Sequence, residues 1–400
     1  MQNKPLLIDL GGLDACCTDH ALGALAKAIS GEDGPHDIWE KHHSPFIQTI
    51  IELFTQRGLM MLEHVQKGLH LWAEGAMHTH PGPVKPPGYV QNWTPAESDL
   101  VHLFLTSLPP EAFTFNDWTL LVDYLLHTYM PAEVLRTEAE WFSVRSSILG
   151  RMQANLDAKG EVVTPEQVNP LVAALPVTIE GAQKAFNFGG TMDAVMEYGT
   201  ARCMEQVVDL AESARAKIKK VILDHTFKKM SGDPLATKEV LQQRLFDEFA
   251  QLNRDWRRIA VTEAGENANQ GLVASLTPGS KVKRIEQYKG ACPFCKRIDG
   301  VVMAVVPPDA PDKDGDKQVW VGKNNIGRSA APRKRVGDEL VERLPSELWW
   351  IPAGTVHPHC RGAWHVMPEA GPHDDPDFQK WLDANLHKNR KSPTKGNAPI

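Results

Sequence analysis

The chain is expected to be an α+β protein, predominantly α-helical, with a long helical core and a small carboxy-terminal module of zinc-knuckle type that contains short β-strands. Three observations predict this class. Apolar residues recur at helical intervals through most of the chain before Pro278. After Pro278 the composition changes to short β-branched runs, and the same region carries paired Cys and His half-sites.

Those half-sites organise the last third. Ala291 to Gly300 reads ACPFCKRIDG, and Ile351 to Trp364 reads IPAGTVHPHCRGAW. Cys292 and Cys295 form a Cys-x-x-Cys pair, and His357 with Cys360 forms a His-x-x-Cys pair. Two such pairs supply four soft or borderline donors at the corners of a tetrahedron, the arrangement a structural Zn²⁺ takes. Pro293, Gly300, Pro352, Gly354 and Pro358 punctuate both segments, and short rigid turns hold ligands on one side of a bend without a large core. The alternative is that these are ordinary thiols that happen to fall in pairs. His357 and His359 flank Pro358, so spacing leaves open which ring faces a metal.

Composition bounds the rest. A chain of 400 residues, 42% hydrophobic and 23% charged, falls in the soluble globular range and is long enough for two or three domains. Its net charge of −7 restricts any nucleic-acid contact to local patches. No run is apolar enough to span a bilayer, and MQNKPLLIDLGG lacks the pattern of a secretion signal, so a cytosolic setting is expected. Six cysteines, with Cys16 and Cys17 adjacent and Cys203 isolated, do not form a disulfide framework for this size.

In order, residues up to about Asp37 are Gly-rich without a sustained period and are expected to form a loose arm. From Pro45, Phe46, Ile50, Ile51, Phe54, Leu62, Val65 and Leu69 wind into an apolar helical stripe, with Gly58 its weak point. Met77 to Val90 carries four prolines and reads as an extended loop, in which His78 and His80 are solvated rather than metal-bound. Asn116 or Asp117 is expected to cap a helix from Trp118 that ends before Pro131, and a second helix opens at Pro131 and closes near Gly160. A Pro-punctuated passage, Val162 to Pro176, follows. Thr191 to Ser231 is helical and turns basic at Lys217, Lys219, Lys220, Lys228 and Lys229, a cluster that reads as a solvated face before it reads as a phosphate contact. The next helical arm carries Leu241, Leu245, Phe249, Leu252, Trp256 and Ile259, and its polar set Arg258, Thr262, Glu263 and Asn269 reads as a packing face.

In the module, Val301 to Val306 and Val319 to Val321 read as strands joined by a hairpin or loop. Asp312, Asp314 and Asp316 alternate as in calcium loops, but Gly315 is misplaced and the closing Glu is missing. A short helix around Trp381 precedes a basic tail suited to an acidic partner or DNA. The domain division from composition is 1–185, a helical region of unassigned role; 186–278, the helical core; 279–370, the metal module; and 371–400, a basic flexible tail.

Arg258, Ile259, Ala260, Thr262 and Glu263, then Cys292, Pro293, Cys295, Asp299 and Gly300, then Pro352, His357, Pro358, Cys360 and Arg361 form a pattern. Over roughly 191–366 it resembles the head morphogenesis, or minor head protein, family of tailed bacteriophages, the F-like proteins of phage Mu. The resemblance implies a structural, non-enzymatic protein of the virion, present in few copies inside the head at the portal vertex. It also implies a passage through the host bacterial cytoplasm during assembly. Its implied partners are the portal protein, scaffold and major capsid protein, with phage DNA through basic segments, in head morphogenesis, DNA packaging or DNA ejection. It implies neither a membrane nor a small-molecule substrate, and it agrees with Cys292, Cys295, His357 and Cys360 as ligands of a structural Zn²⁺. Family members often continue H-P-x-C-R-C, whereas Gly362 stands at that second cysteine position here, with His359 the substitute donor should one be needed.

The enzyme alternative is a thiol-disulfide oxidoreductase using Cys292 and Cys295. That chemistry needs the first thiol at a helix start after a parallel strand, where the dipole lowers its pKa. The charged KVKRIEQYKG before the pair and IDGVVMAVV after it read instead as knuckle and hairpin. A zinc deaminase or hydrolase needs an open metal position, and the H-x-E partner of the deaminase pattern is absent. The Asp-His dyad and downstream Asn of a His-Asn-His nuclease are missing from both half-sites.

Overall fold

Helix α1, Pro45–Ala73, buries the expected stripe from Phe46 to Leu69, because residues three and four apart share one side. The computed structural model describes residues 42–79, 84–87, 93–288, 290–368, 372 and 375–388. The loop histidines divide accordingly: half-buried His78 sets Nδ1 3.1 Å from the Thr106 carbonyl, and His80 lies outside the described residues, as do Cys16, Cys17 and the basic tail beyond Lys388. Among the described residues no helix is long and apolar enough to cross a membrane.

Helix α2, Pro95–Thr106, starts from a capping box of Thr94 and Glu97. In α3, Phe115–Tyr129, the same device corrects the expected cap. Thr114, not Asn116 or Asp117, is the N-cap, and Asp117 is the third helical residue, whose carboxylate takes the Thr114 amide at 2.8 Å. Helix α4, Ala132–Lys159, closes at Gly160, whose φ of +63° suits the residue that ends a helix. The Pro-punctuated passage contains a helix: α5, Pro165–Ala174, has Pro165 in its first turn and tolerates Pro170 inside. Helices α6, Ile179–Ala185, α7, Gly190–Met230, and α8, Lys238–Ala274, follow.

Two compact units emerge, one of Met1–Thr49, Arg145–Met196 and Val261–Ile400, the other of Ile50–Val144 and Glu197–Ala260. They cut across the consecutive segments that composition suggests. The second unit is helical, and Phe54 stacks on Phe142 at 4.1 Å beside Trp256 in its core. Trp256 is fully buried and donates its indole N–H to the Phe54 carbonyl at 3.0 Å. Its ring lies against Gly58, where a Cβ would fall 1.9 Å from the indole. Gly58 is therefore a seat for the tryptophan rather than a weak point. Within this unit Lys217 faces Asp255 at 3.6 Å and Lys219 faces Asp123 at 2.7 Å, so part of the basic cluster is committed to internal ion pairs.

The first unit sets the module against two helices. α4 and α8 touch backbone to backbone: a Cβ on Gly150 would lie 1.8 Å from the Ala268 carbonyl oxygen, and one on Gly271 would lie 2.1 Å from that of Ser147. The end of α8 then packs on a sheet of order β3-β2-β1-β6, built from β1, Lys281–Ile285, β2, Val302–Val305, β3, Gln318–Val319, and β6, Ala363–Val366. β1 pairs antiparallel with β2 and β6, whereas β2 and β3 are parallel, which rules out a simple hairpin across residues 307–317. The aspartates in that loop do not converge. Instead the buried Lys323 ammonium donates to the Gly315 and Gln318 carbonyls at 2.7 and 2.8 Å, and burial brings its pKa down to about 8. A separate ribbon, β4, Arg333–Val336, and β5, Glu339–Glu342, lies beyond it.

Helix α10, Pro376–Lys388, is the helix expected around Trp381, and it is docked, because Phe378 and Leu382 are buried. Phe378 meets Phe186 edge-on at 5.3 Å, and buried Arg151 pairs with Asp375 at 3.2 Å.

Two outcomes follow. Helix propensity alone gives Gly58→Ala a gain of about 1 kcal/mol; the overlap with Trp256 predicts a net loss of about 1–3 kcal/mol in urea denaturation. The second concerns His42. Burial, then the charges of His43 and Arg361, hold its pKa well below the usual value, and its Nδ1 accepts the Ser44 amide at 3.1 Å. A depressed histidine pKa means the unfolded chain takes the proton first. The stability is therefore present above about pH 6.5 and is lost as pH falls below it. Urea midpoints between pH 7.5 and 5 are expected to fall for wild type and to fall less steeply for His42→Gln.

Candidate metal centre

The first half-site begins where β1 ends. Gly300 donates its amide to the Arg284 carbonyl at 2.8 Å, and its φ of +81° reverses the chain into β2. Between them lies α9, Pro293–Ile298, a six-residue helix with Cys292 as its N-cap. The Cys295 amide donates to the Cys292 sulfur at 3.3 Å, which puts both sulfurs on the inner side of the turn. This corrects one expectation: the pair opens a short helix instead of a plain knuckle, although the preceding strand is antiparallel to both neighbours.

The second half-site is gripped by α8. His359 adopts φ +65° and donates its amide to the Thr262 hydroxyl at 3.1 Å. Thr355 donates its hydroxyl to Glu266 at 2.9 Å, and Glu266 lies so close to Gly354 that a Cβ there would meet the carboxylate at 2.0 Å. Asn269 accepts the Trp364 amide at 3.0 Å and donates to the Gly362 carbonyl at 2.9 Å, imitating a strand partner at the start of β6. Thr262, Glu266 and Asn269 follow one another at helical spacing, so a single face holds the loop. The expected polar face is thus realised at Thr262 and Asn269. Glu263 is buried, and Arg258 lies 3.7 Å from Asp255.

Together these elements bring Cys292, Cys295, His357 and Cys360 into one cluster that can hold a metal ion. His357 Nε2 lies 3.4 Å from the Cys295 sulfur, while its Nδ1 donates to the Pro358 carbonyl at 2.7 Å. That bond turns Nε2 toward the sulfurs, the orientation expected of a ligating imidazole. Trp349 stacks on the same ring at 5.7 Å. His359 does not join the donors. Ligand atoms within 4.8 Å of one another resolve into two groups that share Cys295: Cys292, Cys295 and His357, and Glu286, Cys295 and Cys360. All three thiols are buried in an apolar shell with Ala291, Ile298 and Val356.

Sequence reasoning missed Glu286, Arg284 and Glu266. Arg284 and Glu286 are fully buried; Arg284 Nε donates to Glu286 Oε1 at 2.7 Å, and its other nitrogens reach the Gly354 carbonyl at 3.0 Å and the Cys360 sulfur at 3.6 Å. Glu286 directly follows β1, two residues after Arg284, and in extended backbone that spacing sets two side chains on one face; it was their only signal in the sequence. Neighbouring charges and burial shift the titrating groups of the cluster unevenly. Burial would raise Cys360, but the hydrogen bond with Cys295 and the charges of Arg284 and His357 hold its pKa well below the thiol range. Burial would lower His357, yet the bond to Cys292 and the charge of Cys360 raise it to about 9. Cys295 is pushed up, first by its bonds with Cys292 and Cys360 and then by burial, and burial lifts Glu286 to about 7 against the pull of Arg284. Metal binding to such thiol and imidazole donors releases their protons.

No protein-family model, curated protein or solved structure matches the chain.

Asn269→Ala would strand two buried backbone groups, the Trp364 amide and the Gly362 carbonyl. A loss of about 2–4 kcal/mol is expected in chemical denaturation, with faster amide exchange concentrated in β6 and the His357 loop.

Proposed function

We propose that this chain is a structural, non-enzymatic minor head protein of a tailed bacteriophage, associated with the portal vertex inside the head. In this reading the carboxy-terminal module is knit by one Zn²⁺ on Cys292, Cys295, His357 and Cys360. The supporting observation is the convergence of two distant half-sites, residues that carry the resemblance, into one donor cluster of three buried thiols and a partly buried imidazole. Three thiolates and an imidazole leave a tetrahedral ion no open position, the signature of a structural site rather than a Lewis acid. The portal, scaffold or major capsid protein are the partners. Contact with phage DNA falls to basic segments, where Lys220, Lys228 and Lys229 have no ion pair among the described residues.

One observation favours a second reading. Cys292 caps a helix with Cys295 one turn on, the arrangement a thiol-disulfide oxidoreductase uses to lower its attacking thiol. Metal analysis separates the two. Protein prepared under reducing conditions is expected to hold about one zinc per chain and to lose it in Cys292→Ser and Cys360→Ser, with melting of the module. Absence of metal, together with reversible cycling of Cys292 and Cys295 at a cytosolic potential, would transfer the assignment to the oxidoreductase. The phage role is tested in particles of the phage that encodes the chain. Mass spectrometry should find it in heads at low copy, and deletion should lower the infectious titre; heads without it and an unchanged titre would sink the proposal.

A further inference from the structure

More donors surround Cys295 than a tetrahedral ion requires. Alongside Cys292, His357 and Cys360, the carboxylate of Glu286 lies within 4.8 Å of both Cys295 and Cys360 sulfurs, in the wholly buried group of the two. Its position is built, not accidental. Gly362 leaves the room it fills, since a Cβ there would meet Glu286 Oε1 at 1.9 Å. Arg284 holds Oε1 at 2.7 Å, and the two carboxylate oxygens lie 3.9 and 3.8 Å from the Cys360 sulfur. Two anionic donors at that separation, away from water, repel unless a proton or a cation lies between them.

His357 belongs to the other donor group, with Cys292 and Cys295, and is only partly buried. We propose that Glu286 is an exchangeable ligand of the ion, an inner alternative to His357. Three thiolates hold a divalent cation, and the fourth corner is taken either by the outer imidazole or by the buried carboxylate. Imidazole nitrogen and carboxylate oxygen both suit Zn²⁺ and Co²⁺, so exchange between them changes the donor atom without opening the site. This inference rests on the metal-centre reading above.

The test is Co²⁺ titration of the full chain, prepared metal-free and reduced, in wild type, His357→Ala, Glu286→Gln and the double variant. The readouts are the thiolate-to-cobalt absorption and the stoichiometry. Each single variant is expected to keep one ion per chain, with a shifted ligand-field band for His357→Ala, and the double variant is expected to lose it. Release of cobalt by His357→Ala alone, or its retention by the double variant, overturns the proposal while leaving the metal centre intact. No uptake by wild type would instead remove the metal-centre reading on which it stands. Should Glu286→Gln fail to fold because Arg284 is left unpaired, infrared difference spectra of His357→Ala with and without Zn²⁺ decide. A shifted carboxylate stretch supports the exchange, and an unchanged one overturns it.

Discussion

The polar face of α8 is the constraint on which the carboxy-terminal module depends. A loop that carries candidate metal ligands has few apolar residues of its own, so something else must fix its backbone. Thr262, Glu266 and Asn269 do so by bonding His359, Thr355, Gly362 and Trp364. Each replaces a water that the backbone would otherwise need, and each is held on a rigid helix. Because α8 is in turn locked to α4 at Gly150 and Gly271, the loop inherits the rigidity of a helix pair in direct backbone contact.

Arg284 and Glu286 complete the floor of the cluster. A fully buried ion pair is a poor source of net stability, since desolvation offsets most of the attraction, but removing one partner typically costs about 3–5 kcal/mol. Its effect here is better seen in geometry. Arg284 reaches Glu286, the Gly354 carbonyl and the Cys360 sulfur at once, and it lies over Trp364 at 5.3 Å. One guanidinium thereby ties β1 to the second half-site, and its charge favours the thiolate of Cys360. Preorganisation of this kind lowers the ordering that metal binding must otherwise impose.

Much of this architecture was legible in the residues. The apolar stripe of α1, the closure of α4 at Gly160 and the change of texture after Pro278 are local signals, set by side-chain spacing and backbone preference. The misreadings have different causes. Gly58 looked like a defect because its partner, Trp256, is far away in the chain; Asn116 and Asp117 looked like caps although Thr114, close by, takes that place; and of the hairpin or loop expected between β2 and β3 it is the loop that forms, because a parallel pairing leaves no local mark.

The candidate site divides the same way. The sequence by itself determined the soft donors, Cys292, Cys295, His357 and Cys360, because ligand chemistry and turn residues are written at short spacing. Only the tertiary structure decided between His357 and His359, since that choice depends on a positive φ at His359 and on its bond to Thr262. It alone brought Glu286 to Cys360, because the room for that carboxylate is the missing side chain of Gly362, the residue just before β6. Donor identity is a property of single residues, whereas donor position is a property of the contacts that hold distant backbone segments together.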